Sequence, residues 1–402
     1  MSKSILFLSI MDFTDKGIQV VKFTPEYFVK NGWDVDYLVT RDNSIHGSYF
    51  YQDIINPKGM DIHRMEMFQL RIAENLYNHT LKTIYSKIRG YISIIQLAWY
   101  GYKIVKSKEI DILYGGGPHG VLAAHLINMC IKNKKYVISR YYGIWNLYND
   151  FLVNKKKIKL LLNWDILLSL WLKSSKVIIT NDGTEGNKAL KKIRTYNMKR
   201  LSFFVNGTNY IKSTNKNMMS AYTVCRLVQG KRIDRIINIV NYIVHVLGVS
   251  NFIYNIIGDG QELKNLKKMV DKLNLNNNII FHGAKINMAL ENITKDSAIF
   301  FSTYDVSNVA NPLLEAIRAH KIIFTLNNGD TSSWIKHKIN GFIYDIEDSL
   351  YETIARDVVD LFENQNLQNQ IFRNIESTEK EKLWTWDERL ESEYQEIYKL
   401  VH

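Results

Sequence analysis

Cysteine and proline are scarce in this chain: two and four, respectively, among 402 residues. Cys130 and Cys225 each lie in an apolar stretch. Two such residues do not make a disulfide framework, and the pattern favours a reducing compartment. No apolar run approaches the ~20 residues that a membrane-spanning helix needs. The apolar stretch Ile5–Ile10 is too short for a secretion signal and reads as a first strand. No convincing metal-ligand cluster is present. Asp34 and Asp36 sit on a stretch with a buried-strand pattern and read as structural. No short internal repeat or low-complexity tract is evident either.

What the chain does contain is length, hydrophobicity and positive charge. With 46% hydrophobic and 12% aromatic residues, it is long enough for two domains and a sizeable core. The net charge of +12 is unevenly placed. Residues 1–210 hold 30 Lys and Arg against 16 Asp and Glu, and residues 211–402 hold 22 against 24. The excess therefore lies wholly in the first half. Such a surface can face nucleic acid, anionic lipid or an anionic substrate. No nucleic-acid-binding motif accompanies it, so nucleic acid is not an expected partner.

Strand and helix signals alternate through both halves. Strands are predicted at Ser4–Ile10, Asp34–Thr40, Glu109–Tyr114, Lys135–Arg140 and Lys176–Thr180. A second set is predicted at Tyr222–Arg226, Phe252–Gly258, Ile279–His282, Ala298–Ser302 and Ile322–Leu326. Helices are predicted between them. This alternation implies an α/β protein with parallel sheets covered on both faces. Residues 210–219 are mostly polar and read as a linker. The expected organisation is a first Rossmann-like domain over 1–209, a second over 210–382, and a helix over 383–402 packing back on the first. Two further stretches stand out. Ile84–Val105 carries apolar residues at 84, 88, 91, 95, 98, 102 and 105 with basic residues alongside, a helical period. Asn154–Lys173 sets four lysines before a run of leucines with Trp164 and Trp171. That order suits an interfacial segment as well as a core-facing helix.

The chemistry-bearing residues fall at strand-to-helix corners, where backbone N–H groups and a helix dipole hold anions. Arg226 ends one strand and Lys231 lies in the turn that follows, together offering a planar fork and a point charge. Gly258-Asp259-Gly260 forms a second corner. The third, Asp305 to Glu315, includes Ser307 and Asn308. It places Asn311 as an N-cap before Pro312, and Glu315 one turn inside the helix among apolar neighbours. A carboxylate in that setting needs a partner. In the first half, Gly17 follows the first strand. Gly115-Gly116-Gly117-Pro118-His119-Gly120 and Arg140-Tyr141-Tyr142-Gly143 follow later ones. All are at the strand ends where open α/β sheets bind ligands.

These residues resemble the GT-B glycosyltransferases of family 4, a retaining group that builds bacterial polysaccharides and glycolipids. The resemblance covers nearly the whole chain and is strongest from Tyr222 to Asp345. It is carried by Arg226-Leu227…Lys231, Gly258-Asp259-Gly260, Asn340-Gly341-Phe342 and the Asn206-Gly207 hinge. It implies two Rossmann-like domains facing each other across a cleft that closes on a nucleotide-sugar donor. Arg226 and Lys231 would hold the diphosphate, Glu315 the ribose, and Gly17 the phosphates from the other domain. Residues after His282-Gly283 would flank the base. Where the family often carries a first glutamate, this chain has Ser307, and Asp305 or Asn308 stands nearby. A histidine common in the first domain falls near Tyr142, so His119 or Tyr142 would face the reaction centre. The resemblance further implies a UDP- or GDP-hexose as substrate, no cofactor and no metal. The acceptor would be a lipid-linked saccharide of O-antigen, lipopolysaccharide or capsule assembly. The protein would sit on the inner face of the cytoplasmic membrane, its basic first half against anionic lipid. The missing glutamate leaves open a non-catalytic partner that binds glycan or a catalytic subunit.

Overall fold

A computed structural model describes residues 3–14, 18–42, 53–69, 79–209, 217–285 and 287–402. It divides into two compact units. The first comprises Met1–Asn181, Gly186–Phe204 and Asp387–His402; the second comprises Asp182–Glu185 and Val205–Trp386.

The first unit is built on strands β1 (Ser4–Ser9), β2 (Asp34–Arg41), β3 (Asp61–Glu66), β4 (Ile112–Gly116), β5 (Tyr136–Tyr141), β6 (Lys176–Thr180) and β7 (Leu201–Phe204). They pair in the order β3-β2-β1-β4-β5-β6-β7, every pair parallel. Its helices are α1 (Gln19–Lys30), α2 (His79–Ser107), α3 (Gly117–Cys130), α4 (Lys157–Leu162), α5 (Trp164–Trp171), α6 (Gly186–Ile193) and α7 (Thr195–Met198). The second unit repeats the plan with β8 (Asn217–Val224), β9 (Ile253–Ile257), β10 (Ile279–Phe281), β11 (Ser297–Ser302), β12 (Ile322–Leu326) and β13 (Phe342–Tyr344). Their order is β10-β9-β8-β11-β12-β13, again all parallel. Helices α8 (Ile233–Asn241), α9 (Leu263–Lys272), α10 (Asn287–Thr294), α11 (Asn311–Arg318), α12 (Leu350–Glu363) and α13 (Gln365–Lys382) cover it. Helix α14 (Trp386–Tyr398) follows, and nearly all of it belongs to the first unit.

Both sheets are doubly wound, and both reverse direction beside their first strand: between β1 and β4, and between β8 and β11. A crevice opens at such a reversal, because successive connections leave on opposite faces. The central strands β1, β4, β9, β11 and β12 are near-continuous apolar runs, as burial on both faces requires. In the second unit Phe300, Phe301, Phe324 and Phe342 are fully or almost fully buried. The last two rings stack at 4.4 Å.

Three strands escaped the sequence pattern. Strand β3 is a half-exposed edge with polar residues, while β7 and β13 have only four and three residues. Helix α1 runs unbroken through Pro25. The glycine-rich 115–120 segment is no loop, since β4 runs to Gly116 and α3 starts at Gly117. A Cβ on Gly115 would lie 2.6 Å from the Val121 nitrogen, and one on Gly120 would meet the Leu8 carbonyl. These two glycines let helix and strands touch. Cys130 is exposed, contrary to its apolar surroundings in sequence, and both cysteines are free thiols. Asp36 is buried and bonded to Lys108 at 3.0 Å and His63 at 2.7 Å, in keeping with a structural role.

Candidate functional site

In the second unit the sequence-predicted residues converge on the reversal between β8 and β11. Leaving β8, the chain exposes Arg226, buries Leu227 and turns once through Gln229–Lys231 before α8. Lys231 thus belongs to a 3-10 turn and not to the helix. Leaving β11, the chain passes Tyr304 and Asp305 and reaches α11. The two loops are tied together: Asp305 N–H donates to the Gly230 carbonyl at 3.1 Å, and the Tyr304 hydroxyl to the Val224 carbonyl at 3.4 Å. The Lys231 ammonium lies 3.6 Å from the centre of the Tyr304 ring. Tyr304 had no role in the sequence reading. An aromatic residue just past a strand end was its only signal.

The four basic residues of this corner differ in their partners. Arg232 holds Asp234 at 2.8 Å and Asp305 at 3.3 Å, and Arg235 holds Asp305 at 2.8 Å. Among the described residues no carboxylate pairs with Arg226 or Lys231. Burial pushes the Lys231 ammonium below the usual lysine range; Cys225 pulls it back up in part, and the neighbouring Arg226 guanidinium adds a smaller downward push. Two cations held together without a counter-charge are relieved by an incoming anion.

Helix α11 adds a positive end. Its N-cap is Ala310, in extended conformation and without a side-chain cap. Asn311 is therefore the first helical residue and not the cap. Its Oδ1 accepts from Asn206 Nδ2 at 2.7 Å. One turn in, Glu315 is held at about pKa 7 by burial alone. Among the described residues no hydrogen bond or ion pair reaches its carboxyl group. A carboxyl with its ionised form penalised and no protein donor is suited to accept hydroxyl hydrogen bonds from a ligand.

The loop between β11 and α11 corrects two expectations. Asn308 is fully buried and spends its amide on the protein. Oδ1 accepts from Ser302 Oγ at 2.6 Å and Tyr304 N at 2.9 Å, while Nδ2 donates to Leu326 O at 3.3 Å and Asn328 Oδ1 at 2.8 Å. It shapes the loop and has no capacity left for a ligand. Ser307 is likewise committed, donating to the Asp182 carbonyl at 2.9 Å and accepting from Val309 N at 3.2 Å. Asp305 is exposed but shared between two arginines, so it orients the corner. Gly258 and Gly283 meet at the next corner, where Gly258 N–H donates to the Gly283 carbonyl at 2.9 Å. Gly258 has φ +150°, and any Cβ there would overlap the Cys225 carbonyl oxygen. It packs the two corners against each other.

In the first unit His119 stands in the opening turn of α3, its Nε2 4.0 Å from the buried Asp165. Burial pushes its pKa down, opposed by Asp165 and reinforced by Lys87. Gly90 of α2 faces the same ring; a Cβ there would lie 2.8 Å from Nε2. Tyr142 instead lines a cavity of about 10 Å³ with Ser9, Tyr114 and Gly116, room for about one water. The Arg140 guanidinium lies 4.8 Å from the centre of its ring, and burial lifts the phenol to about 12. His119 and Tyr142 thus have different neighbours. Gly17 lies outside the described residues. Among the described residues no group of three or more His, Cys, Asp and Glu is placed to hold a metal ion.

Residues 209–378 match the family described as glycosyl transferases group 1. No curated protein sequence matches the chain. Among solved structures, all of the chain aligns with 99% of Anabaena Alr3699/HepE in complex with UDP, at TM-score 0.69 and 12% identity. It aligns equally fully with 99% of the sucrose-phosphate synthase of Thermosynechococcus elongatus, at TM-score 0.73 and 11% identity. A glycosyltransferase from Rickettsia africae aligns over 98% of its length, at TM-score 0.66 and 15% identity. The chain has the GT-B fold, and the match to glycosyl transferases group 1 falls in its second unit.

Proposed function

We propose that this protein is a retaining glycosyltransferase of the family 4 type, which moves a hexose from a nucleoside diphosphate sugar to a lipid-linked saccharide. The observation that carries the reading is the uncompensated pair Arg226 and Lys231 at the β8–β11 reversal, next to the uncapped end of α11. When the bond from the anomeric carbon to the donor phosphate breaks, negative charge grows on the departing diphosphate. Arg226, Lys231 and the helix end stabilise that charge more as it develops than before. The acceptor hydroxyl attacks from the leaving-group face, and its proton passes to the released phosphate oxygen. Glu315 accepts the ribose hydroxyls. No metal is required in this scheme, because fixed protein charges do the neutralising.

A uridine nucleotide is the first donor to test, because three structures of Alr3699/HepE hold UDP, one with glucose and one as UDP-glucose. The acceptor side of the reading rests on the basic first half, which suits an acceptor diphosphate and an anionic inner membrane surface in O-antigen or capsule assembly. Among the described residues no helix is long and apolar enough to cross a membrane. Thermal unfolding against UDP, GDP, CMP and their sugar conjugates, with EDTA present, tests the donor site. A ligand that binds only the folded state raises the midpoint. A rise with one nucleotide, lost in Arg226→Ala, is the expected result. No rise with any of them would defeat the proposal.

Ser307 favours a second reading, a non-catalytic GT-B partner. Its hydroxyl is tied to the Asp182 carbonyl and supplies no carboxylate to a donor sugar. Slow hydrolysis of the donor without acceptor separates the two, since only the transferase releases free nucleotide.

A further inference from the structure

The apolar stripe of Ile84–Val105 is only partly used by the core: Tyr91, Ala98, Tyr102 and Val105 pack against it, and the rest of the stripe does not. Helix α2 buries Arg89, Gly90, Ser93, Ile94 and Leu97, whereas Ile84, Ile88, Ile95 and Trp99 are exposed, Ile95 by 66%. Helix α4 buries none of its six residues; Ile158 is 77% and Leu161 75% exposed. Helix α5 buries Asp165, Ile166, Ser169 and Leu170 and turns Trp164, Leu168 and Trp171 outward, at positions one helical face apart. The two regions join, because the Tyr91 and Trp164 rings meet at 5.1 Å and Lys87 Nζ donates to Asn163 Oδ1 at 2.7 Å. Scattered apolar residues on a surface need no explanation, but a continuous patch of this kind does.

Its charge says what covers it. Helix α2 has no acidic residue. Lys155, Lys156, Lys157 and Lys159 precede or lie within α4, and all are exposed. Asp150 is shared by Lys156 at 2.5 Å and Lys159 at 3.3 Å. Among the described residues Lys155 and Lys157 have no carboxylate. Around the rim, Lys103 lies 5.2 Å from the Trp99 ring centre and Arg194 4.9 Å from that of Trp171. Apolar side chains, interfacial tryptophans and lysines on one surface fit an anionic bilayer, with side chains at the acyl boundary and ammonium groups among the headgroups.

We infer that α4, α5 and the outer stripe of α2 form a membrane-docking surface for anionic lipid. This deepens the proposed reading by naming the face that meets the bilayer, and it rests on that reading only for what the membrane carries. The test is co-sedimentation of the full chain with vesicles of phosphatidylcholine, with and without about a third phosphatidylglycerol. Binding at least tenfold tighter to the anionic vesicles is expected, weakening with salt. Replacing Lys155, Lys156, Lys157 and Lys159 together by Gln should weaken it at least tenfold. The pair Ile158→Ser and Leu161→Ser should do the same at an unchanged melting temperature. Absence of binding by the native chain, or indifference of both variants, overturns the inference. So does a dimer in sedimentation velocity that the Ile158→Ser, Leu161→Ser chain dissociates, which would assign the patch to a second copy. A nucleotide-induced rise in melting temperature is read without vesicles, so loss of docking and failure of the donor site are distinguishable.

Discussion

Arg226 and Lys231 stand apart from Arg232 and Arg235 only in what they lack. All four are basic residues of one corner, yet the latter two are neutralised by Asp234 and Asp305. Replacing Arg226 or Lys231 with Ala should therefore lower kcat/KM by about a hundredfold or more while leaving the melting temperature nearly unchanged. Steady-state kinetics beside a thermal melt checks both halves. Glu315 makes a prediction of opposite character, because its setting costs the fold something. Its pKa is raised from 4.5 to about 7, so between those values the folded chain holds a proton that the unfolded chain has released. Stability contributed by this group thus falls as pH rises through that window. The Glu315→Gln chain should match the native one below pH ~4.5 and exceed it by about 3 kcal/mol at pH 8, an order-of-magnitude figure from the shift. Denaturant titrations at the two pH values decide it. A donor whose hydroxyls bind the ionised form should also release protons near pH 7, measurable as buffer-dependent binding heat.

At the scale of elements, the strand-to-helix corners were legible because their residue types have few other uses. Apolar β-branched runs marked ten of the thirteen strands among the described residues, and Pro312 marked the start of α11 to within one residue. Whether a given side chain faces a ligand was not legible. Asn308 and Arg226 both read as polar residues at strand ends, but one is saturated by Ser302, Tyr304, Leu326 and Asn328, contacts made across distant parts of the chain. Glycine misled in the same way. Gly115, Gly120 and Gly258 stand at or just past strand ends where a ligand could approach, and each lies against a neighbouring backbone. Gly258→Ala should accordingly destabilise the second unit by about 2–4 kcal/mol, from overlap with the Cys225 carbonyl and a strained φ of +150°. Urea unfolding measures this, and a near-neutral result would mean the corner relaxes without cost.

At the scale of the molecule, the last helix completes the first unit through charge. Arg140, Arg389 and Glu393 are all fully buried, the last two on α14. Glu393 Oε2 pairs with Arg389 at 2.7 Å, and its Oε1 lies 3.7 Å from Arg140 and accepts from the Tyr114 hydroxyl. Two guanidinium groups thus lean on one carboxylate, with the Phe204 ring 4.5 Å from Arg389 and the Tyr142 ring 4.8 Å from Arg140. Burial opposes ionisation of Glu393, but the two arginines and Tyr114 outweigh it and hold its pKa below the ordinary value. Its stabilising contribution is therefore full above the ordinary carboxylate range and is lost as pH falls through the folded-state value. Sequence placed a helix here and not this triad, because the three residues come from segments some 250 positions apart and none carries a local motif. Removing one member of a buried ion cluster leaves uncompensated charge, which costs more than the cluster contributes. Glu393→Gln should cost about 3–5 kcal/mol, and a chain ending at residue 386 should fail to form the first unit. Replacing Arg389 by Met in the Glu393→Gln chain should recover part of that loss, since it removes one of the stranded cations. Stability measured on the single and double variants tests the charge argument directly. If the second change deepens the loss instead, packing rather than charge is what α14 supplies.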